Sequence, residues 1–119
     1  MTTDFEGPSD IEAPVRRQLE AYNRCDIDAF IQNFSPDCVV EDGTGNLLMR
    51  GREAMRESYS RMFAASPELH CRIVSRIVLS EYVIDEERVT GRAGSEGELH
   101  VVAVYRVEDD EITHVRFLR

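Results

Sequence analysis

The hydrophobic period of this chain changes at Ser66-Pro67, and that change restricts the fold more than any other feature. Before it, apolar residues recur at helical spacing: Ile11, Val15, Leu19 and Tyr22, then Ile27, Phe30, Ile31 and Phe34, then Met55, Tyr59, Met62 and Phe63. Each set falls on one face of a helix. After it, Cys71, Ile73, Ile77 and Leu79 alternate with Arg72, Arg76 and Ser80, and Leu99 to Val107 is the most β-rich run of the chain. That two-residue period belongs to strands. Helices first and antiparallel strands afterwards predict an α+β fold. Its expected form is a cone-shaped roll, with three N-terminal helices packed on a curved, mainly antiparallel sheet that encloses a pocket.

Local signals divide the chain into elements. Residues Met1 to Pro8 lack periodicity and are expected to form a flexible arm before a single domain over residues 9–119. Ser9 and Glu12 have capping-box spacing, so helix 1 is expected over Asp10 to Arg24, with Pro14 tolerated in its first turn or delaying its start. Asp26 suits the N-cap of a short second helix that Ser35-Pro36 ends. Cys38 to Glu41 predict a short strand, Asp42 to Asn46 a reversal, and Arg52 to Ala65 a third helix. A strand around Tyr82 to Val89, the glycine-rich stretch Gly91 to Gly97, and a turn at Asp109-Asp110 before the last strand complete the pattern.

Charge and composition exclude several functions. Arginine and lysine total 14 against 23 acidic residues, and a formal charge of −9 opposes attraction to nucleic acid or an anionic membrane. Val101 to Tyr105 is far shorter than the ~20 apolar residues of a membrane span. The N-terminal residues lack the zones of a secretory signal, so a cytoplasmic location is expected. Cys25, Cys38 and Cys71 form no CxxC pair and read as free thiols, and His70, His100 and His114 have no metal-site spacing. Gly91 to Gly97 lacks the Lys-Ser/Thr ending of a phosphate loop. No metal and no cofactor is expected.

The segments Cys25 to Phe30, Cys38 to Gly45 and Gly51 to Glu53 resemble, in order, the "GDxxA", "VEDPxG" and "GxEAI" patterns of the ketosteroid isomerase family. That family lies within the nuclear transport factor 2-like and SnoaL-like superfamily. Glu98 to Leu118 is similar to its last two strands. The resemblance implies that Asp42 is the general base, beside an oxyanion hole that in the family is built from a Tyr and a protonated Asp. Here Gln18 and Ala103 stand at those two positions. Gln18 retains an amide donor and Ala103 has none, so efficient steroid isomerisation is not expected. Tyr59 matches a supporting pocket tyrosine, and Phe34 replaces another.

Taken without the family, Asp42 follows Val39-Val40 and precedes a glycine turn, a place suited to a desolvated base or to an Asx-turn residue. Gln18 and Tyr59 interrupt apolar stripes and are expected at the pocket together with Tyr22, Met55 and Phe63. Alternation puts Val101, Ala103 and Tyr105 on the pocket face of one strand and groups Val115, Phe117 and Arg119 on that of the next, where Arg119 is expected as a solvated chain end rather than as a partner for an acidic ligand group. The expected ligand is a small, largely apolar molecule. Val102 and Val104 leave the opposite face apolar, so a homodimer is expected. The function that follows is a cofactor-independent proton transfer in an isomerisation, cyclisation or lyase-type reaction. The alternative is a non-catalytic ligand-binding or dimeric assembly domain.

Overall fold

Pro14 lies in the first turn of helix α1, which runs Ala13–Asn23 rather than from Asp10. Its missing N–H is harmless there, while the preceding Asp10 accepts from the Glu12 N–H at 3.0 Å and closes the entry turn. The computed structural model describes residues 10–119, so the expected arm and the Ser9 end of the capping box lie outside the described residues. Helix α2 (Ile27–Ile31) is capped by Asp26, whose Oδ1 accepts from the Ala29 N–H at 3.1 Å.

Helix α2 ends before Ser35-Pro36, which already belong to strand β1 (Phe34–Asp42). Asn33 makes the exit possible. Its amide donates to the carbonyls of Ala29 and Phe30, its Oδ1 accepts from Arg17, and its own carbonyl accepts from the Ile112 N–H. Pro36 falls in the irregular stretch of β1 between the Phe34–Ile112 and Val39–His114 pairs, where a missing N–H leaves no ladder bond broken. The Asp42–Asn46 turn closes a hairpin with β2 (Leu47–Arg50), a strand the periodicity did not signal. Helix α3 (Gly51–Ala65) and strands β3 (His70–Leu79), β4 (Tyr82–Thr90), β5 (Leu99–Glu108) and β6 (Glu111–Leu118) follow.

The strands form one open sheet in the order β2-β1-β6-β5-β4-β3, antiparallel except for the parallel β1–β6 pair. The three helices pack on it, and the core between the layers centres on Val15, Phe30, Phe34, Met55, Val83 and Val115. The α+β architecture is the one the change of period predicts.

Strand β3 departs from the expected alternation. Its pairing with β4 passes from Ile73–Glu87 to Ser75–Glu86, so Val74 is an extra, bulged residue. One added residue exchanges the two faces of a strand. Cys71 and Ile73 face the core, but beyond the bulge Arg76 turns inward while Ile77 and Leu79 are exposed on the outside. At its start β3 is tied to α1: Asn23 donates to the Cys71 carbonyl at 3.0 Å and accepts from the Cys71 N–H at 2.8 Å. The side-chain amide thus occupies the free edge that a further strand would otherwise need.

Candidate active site

Between the helices and the inner sheet face lies a cavity of about 170 Å³. Of the residues picked out from the sequence, Gln18, Tyr22, Phe34, Tyr59, Val101, Val115 and Phe117 line it. Met55, Phe63 and Ala103 are buried in the core and form no part of its wall. Asp42 also lies outside it. The Asp42 Oδ1 accepts from the Thr44 N–H, the Thr44 hydroxyl and the Asn46 N–H, and its Oδ2 accepts from the Asn46 amide. The Thr44 hydroxyl first, then the Asn46 N–H, hold its carboxyl below the usual range. A carboxylate so fully engaged in a turn is a stable anion and a poor proton acceptor.

The carboxyl group that lines the cavity is that of Glu87, on β4. Strand alternation gives β4 one buried face made of Val83, Asp85, Glu87 and Val89. Asp85 is entirely buried and is held by Arg76 through two bonds, Nε to Oδ1 at 2.6 Å and Nη2 to Oδ2 at 2.9 Å. Arg76 also reaches Glu12 at 3.1 Å. Glu87 has no such cation. Its Oε2 accepts from the Tyr105 hydroxyl at 3.3 Å, and that hydroxyl accepts from the Gln18 amide at 3.3 Å. Gln18 also donates to the Val15 carbonyl at 3.1 Å. Both of its amide hydrogens are therefore committed, and the donor expected at Gln18 serves Tyr105 instead of a ligand.

Burial pushes the Glu87 carboxyl up to about 7, and the Asp85 charge adds to the rise. Hydrogen bonds from Tyr105 and Cys71, and the Arg76 charge, oppose it. Glu87 thus exchanges a proton near neutral pH inside a mainly apolar wall. Tyr22 and Tyr59 also line the cavity, and among the described residues their hydroxyls make no hydrogen bond. Burial holds both phenols above their ordinary range, so both remain donors.

Glu87 had one signal in the sequence, its alternation with Val83, Asp85 and Val89 on a single strand face. Tyr82, Ile84 and Glu86 on the other face are similarly mixed, so the pattern alone does not choose the buried side. Tyr105 sits on the face assigned to the pocket, yet its role depends on Gln18 and Glu87, which come from distant segments.

The raised Glu87 makes stability depend on pH. In the folded protein it keeps its proton up to about pH 7, but unfolded it ionises near 4.5. Its favourable contribution is fully present below the unfolded value and is lost as pH rises through the folded one, a fall of roughly 3 kcal/mol. Glu87→Gln removes this dependence. Urea unfolding of both proteins at about pH 5 and about pH 8 is expected to show wild type losing roughly 3 kcal/mol relative to the variant. A pH-independent difference would mean that Glu87 titrates as an ordinary carboxylate.

The sequence from residue 15 to 115 matches the model of the SnoaL-like domain family. No curated protein matches it. Among solved structures, an uncharacterized cystatin fold protein from Novosphingobium aromaticivorans is 30% identical, with a TM-score of 0.84 over 95% of this chain and 100% of that one. A putative polyketide cyclase from Sinorhizobium meliloti is 19% identical, with a TM-score of 0.76 over 94% of this chain and 95% of that one. A putative ketosteroid isomerase from Kribbella flavida is 14% identical, with a TM-score of 0.76 over 91% of this chain and 76% of that one. At such identities the last two establish the fold alone. With helices over an open mixed sheet and a match that spans most of its length, the chain belongs to the SnoaL-like domain family.

Proposed function

We propose that this protein is a cofactor-independent acid–base enzyme that moves a proton on a small, largely apolar carbonyl compound. The observation that carries the proposal is Glu87: a carboxyl at about 7 in a mainly apolar cavity. General acid–base catalysis is most effective when the catalytic pKa lies near the working pH. Glu87 Oε2 is held by Tyr105, and the other oxygen takes the proton from the carbon beside the carbonyl. The resulting enolate oxygen accepts a hydrogen bond from Tyr59, whose hydroxyl has no partner among the described residues. Glu87 then returns the proton to another carbon; in a cyclisation the enolate carbon instead attacks a second carbonyl carbon of the same molecule, whose C=O π bond opens and whose oxygen takes the proton from Glu87.

Steroid isomerisation is not part of the proposal. Gln18 is committed to Tyr105 and Val15, and Ala103 offers no donor. The cavity of about 170 Å³ resembles the ~150 Å³ apolar cavity that admits benzene and falls below the ~300 Å³ at which drug-sized ligand pockets begin.

Glu87→Gln preserves shape and removes the base, so turnover of a carbonyl substrate is expected to fall at least ~100-fold with ligand affinity kept. Asp42→Asn is expected to leave turnover within about twofold, because the amide keeps most of the turn's bonds. The reverse pattern, with Asp42→Asn inactive and Glu87→Gln active, would return the role of base to Asp42.

A non-catalytic binding or assembly domain is the second reading, and the outer sheet face favours it. Ile77 is 60% exposed and pairs with Ile84, which in turn pairs with Val104. A homodimer in the cytoplasm that covers this patch is part of the proposal under either reading. Light scattering is expected to give twice the 13.6 kDa chain mass, and a monomer at high micromolar concentration would remove the dimer.

A further inference from the structure

The chain contains arginine but no lysine, and its arginines are almost all paired. Among the described residues, Arg50, Arg92 and Arg119 are those with no carboxylate within salt-bridge distance. Arg92 and Arg119 line the same cavity. In a chain with 23 acidic residues, two cations without a carboxylate around one apolar cavity are unusual.

Their positions are built by the fold. Arg92 stands between two anchors. At Gly91, φ is +74° and a Cβ would lie 2.1 Å from the Glu68 carbonyl oxygen, while the Ala93 N–H donates to the buried Ser66 hydroxyl at 2.9 Å. Arg119 follows Leu118, which pairs with Val102, and so continues the inner-face series Val115 and Phe117. Both stand on the open part of the cavity wall, since Leu48 and Arg119 are exposed and Arg92 is half-buried, whereas Glu87, Tyr105 and Gln18 are buried.

On the reading of this cavity as a substrate site, we infer that its ligand bears a carboxylate, held at the mouth by Arg92 and Arg119, with a ring-sized apolar body reaching toward Glu87. A guanidinium matches a carboxylate with paired N–H donors. The chain's net charge of −9 gives an anion no long-range attraction, so a local cationic pair is what its binding requires. Glu87 at the deep end repels the acid group once ionised. The ligand is therefore oriented, with its acid outward and its reacting carbon inward.

The test compares binding of 3-phenylpropanoate and its uncharged amide to the full chain by calorimetry, in wild type, Arg119→Gln, Arg92→Gln/Arg119→Gln and Glu87→Gln. Wild type is expected to prefer the acid by roughly tenfold or more, the worth of one charge-assisted pair. Arg119→Gln should reduce that preference, and the double variant should abolish it while keeping the amide's affinity. Glu87→Gln should keep it. Equal affinity for acid and amide in wild type, no binding of either, or a preference that survives in the double variant would overturn the inference. Loss of turnover in Glu87→Gln without an acid preference in wild type would sink the ligand class and leave proton transfer standing. An acid preference with full turnover in Glu87→Gln would do the opposite.

Discussion

Asp85 and Glu87 share the buried face of β4, and only one of them has a cation. Two residues along a strand separate them by ~7 Å, close enough in a low-dielectric interior for one charge to oppose the other. Arg76 compensates Asp85 through both carboxylate oxygens, whereas Glu87 lowers its own cost by keeping a proton. The arrangement rests on the bulge at Val74. Were Val74 paired in regular alternation instead of bulged, Ser75 would face Asp85, Arg76 would point to solvent with Arg72, and Asp85 would be buried as an unpaired charge.

Other contacts around the cavity hold this pair of carboxylates in place. The Asn23 amide fastens the end of α1 to the edge of β3, which keeps Gln18 over the sheet. Gln18 then locks the Tyr105 hydroxyl as an acceptor on one side, so that its hydrogen is directed at Glu87 on the other. An aromatic cluster of Tyr22, Phe30, Tyr59 and Phe63 closes the helical side, with Phe30 and Tyr59 ring centres 4.6 Å apart. The cavity therefore has Glu87 among its buried lining residues, apolar walls, and Arg92 and Arg119 among its more exposed ones.

Legibility in the sequence followed the range of the interactions. The three helices were readable because Pro14, Asp26 and Ser66-Pro67 act within a turn of themselves, and the acidic β5–β6 turn because Asp109 and Asp110 adopt left-handed backbone at adjacent positions. The faces of β3 beyond Val74 were not, since a bulge is set by the partner strand. The identity of the ionisable cavity residue was similarly hidden. Motif resemblance pointed to Asp42, but four local hydrogen bonds hold that carboxylate in its turn. Glu87 acquires its properties from Asp85, Arg76, Tyr105 and the helices above it.

Direct titration of the Glu87 side-chain carboxyl by carbon NMR, assigned by comparison with Glu87→Gln, tests the central claim. The account predicts a midpoint at about 7, well separated from the surface carboxylates. A midpoint at the ordinary glutamate value of ~4.3 would contradict it, because Glu87 would then be a permanently ionised group with no proton to exchange near neutral pH.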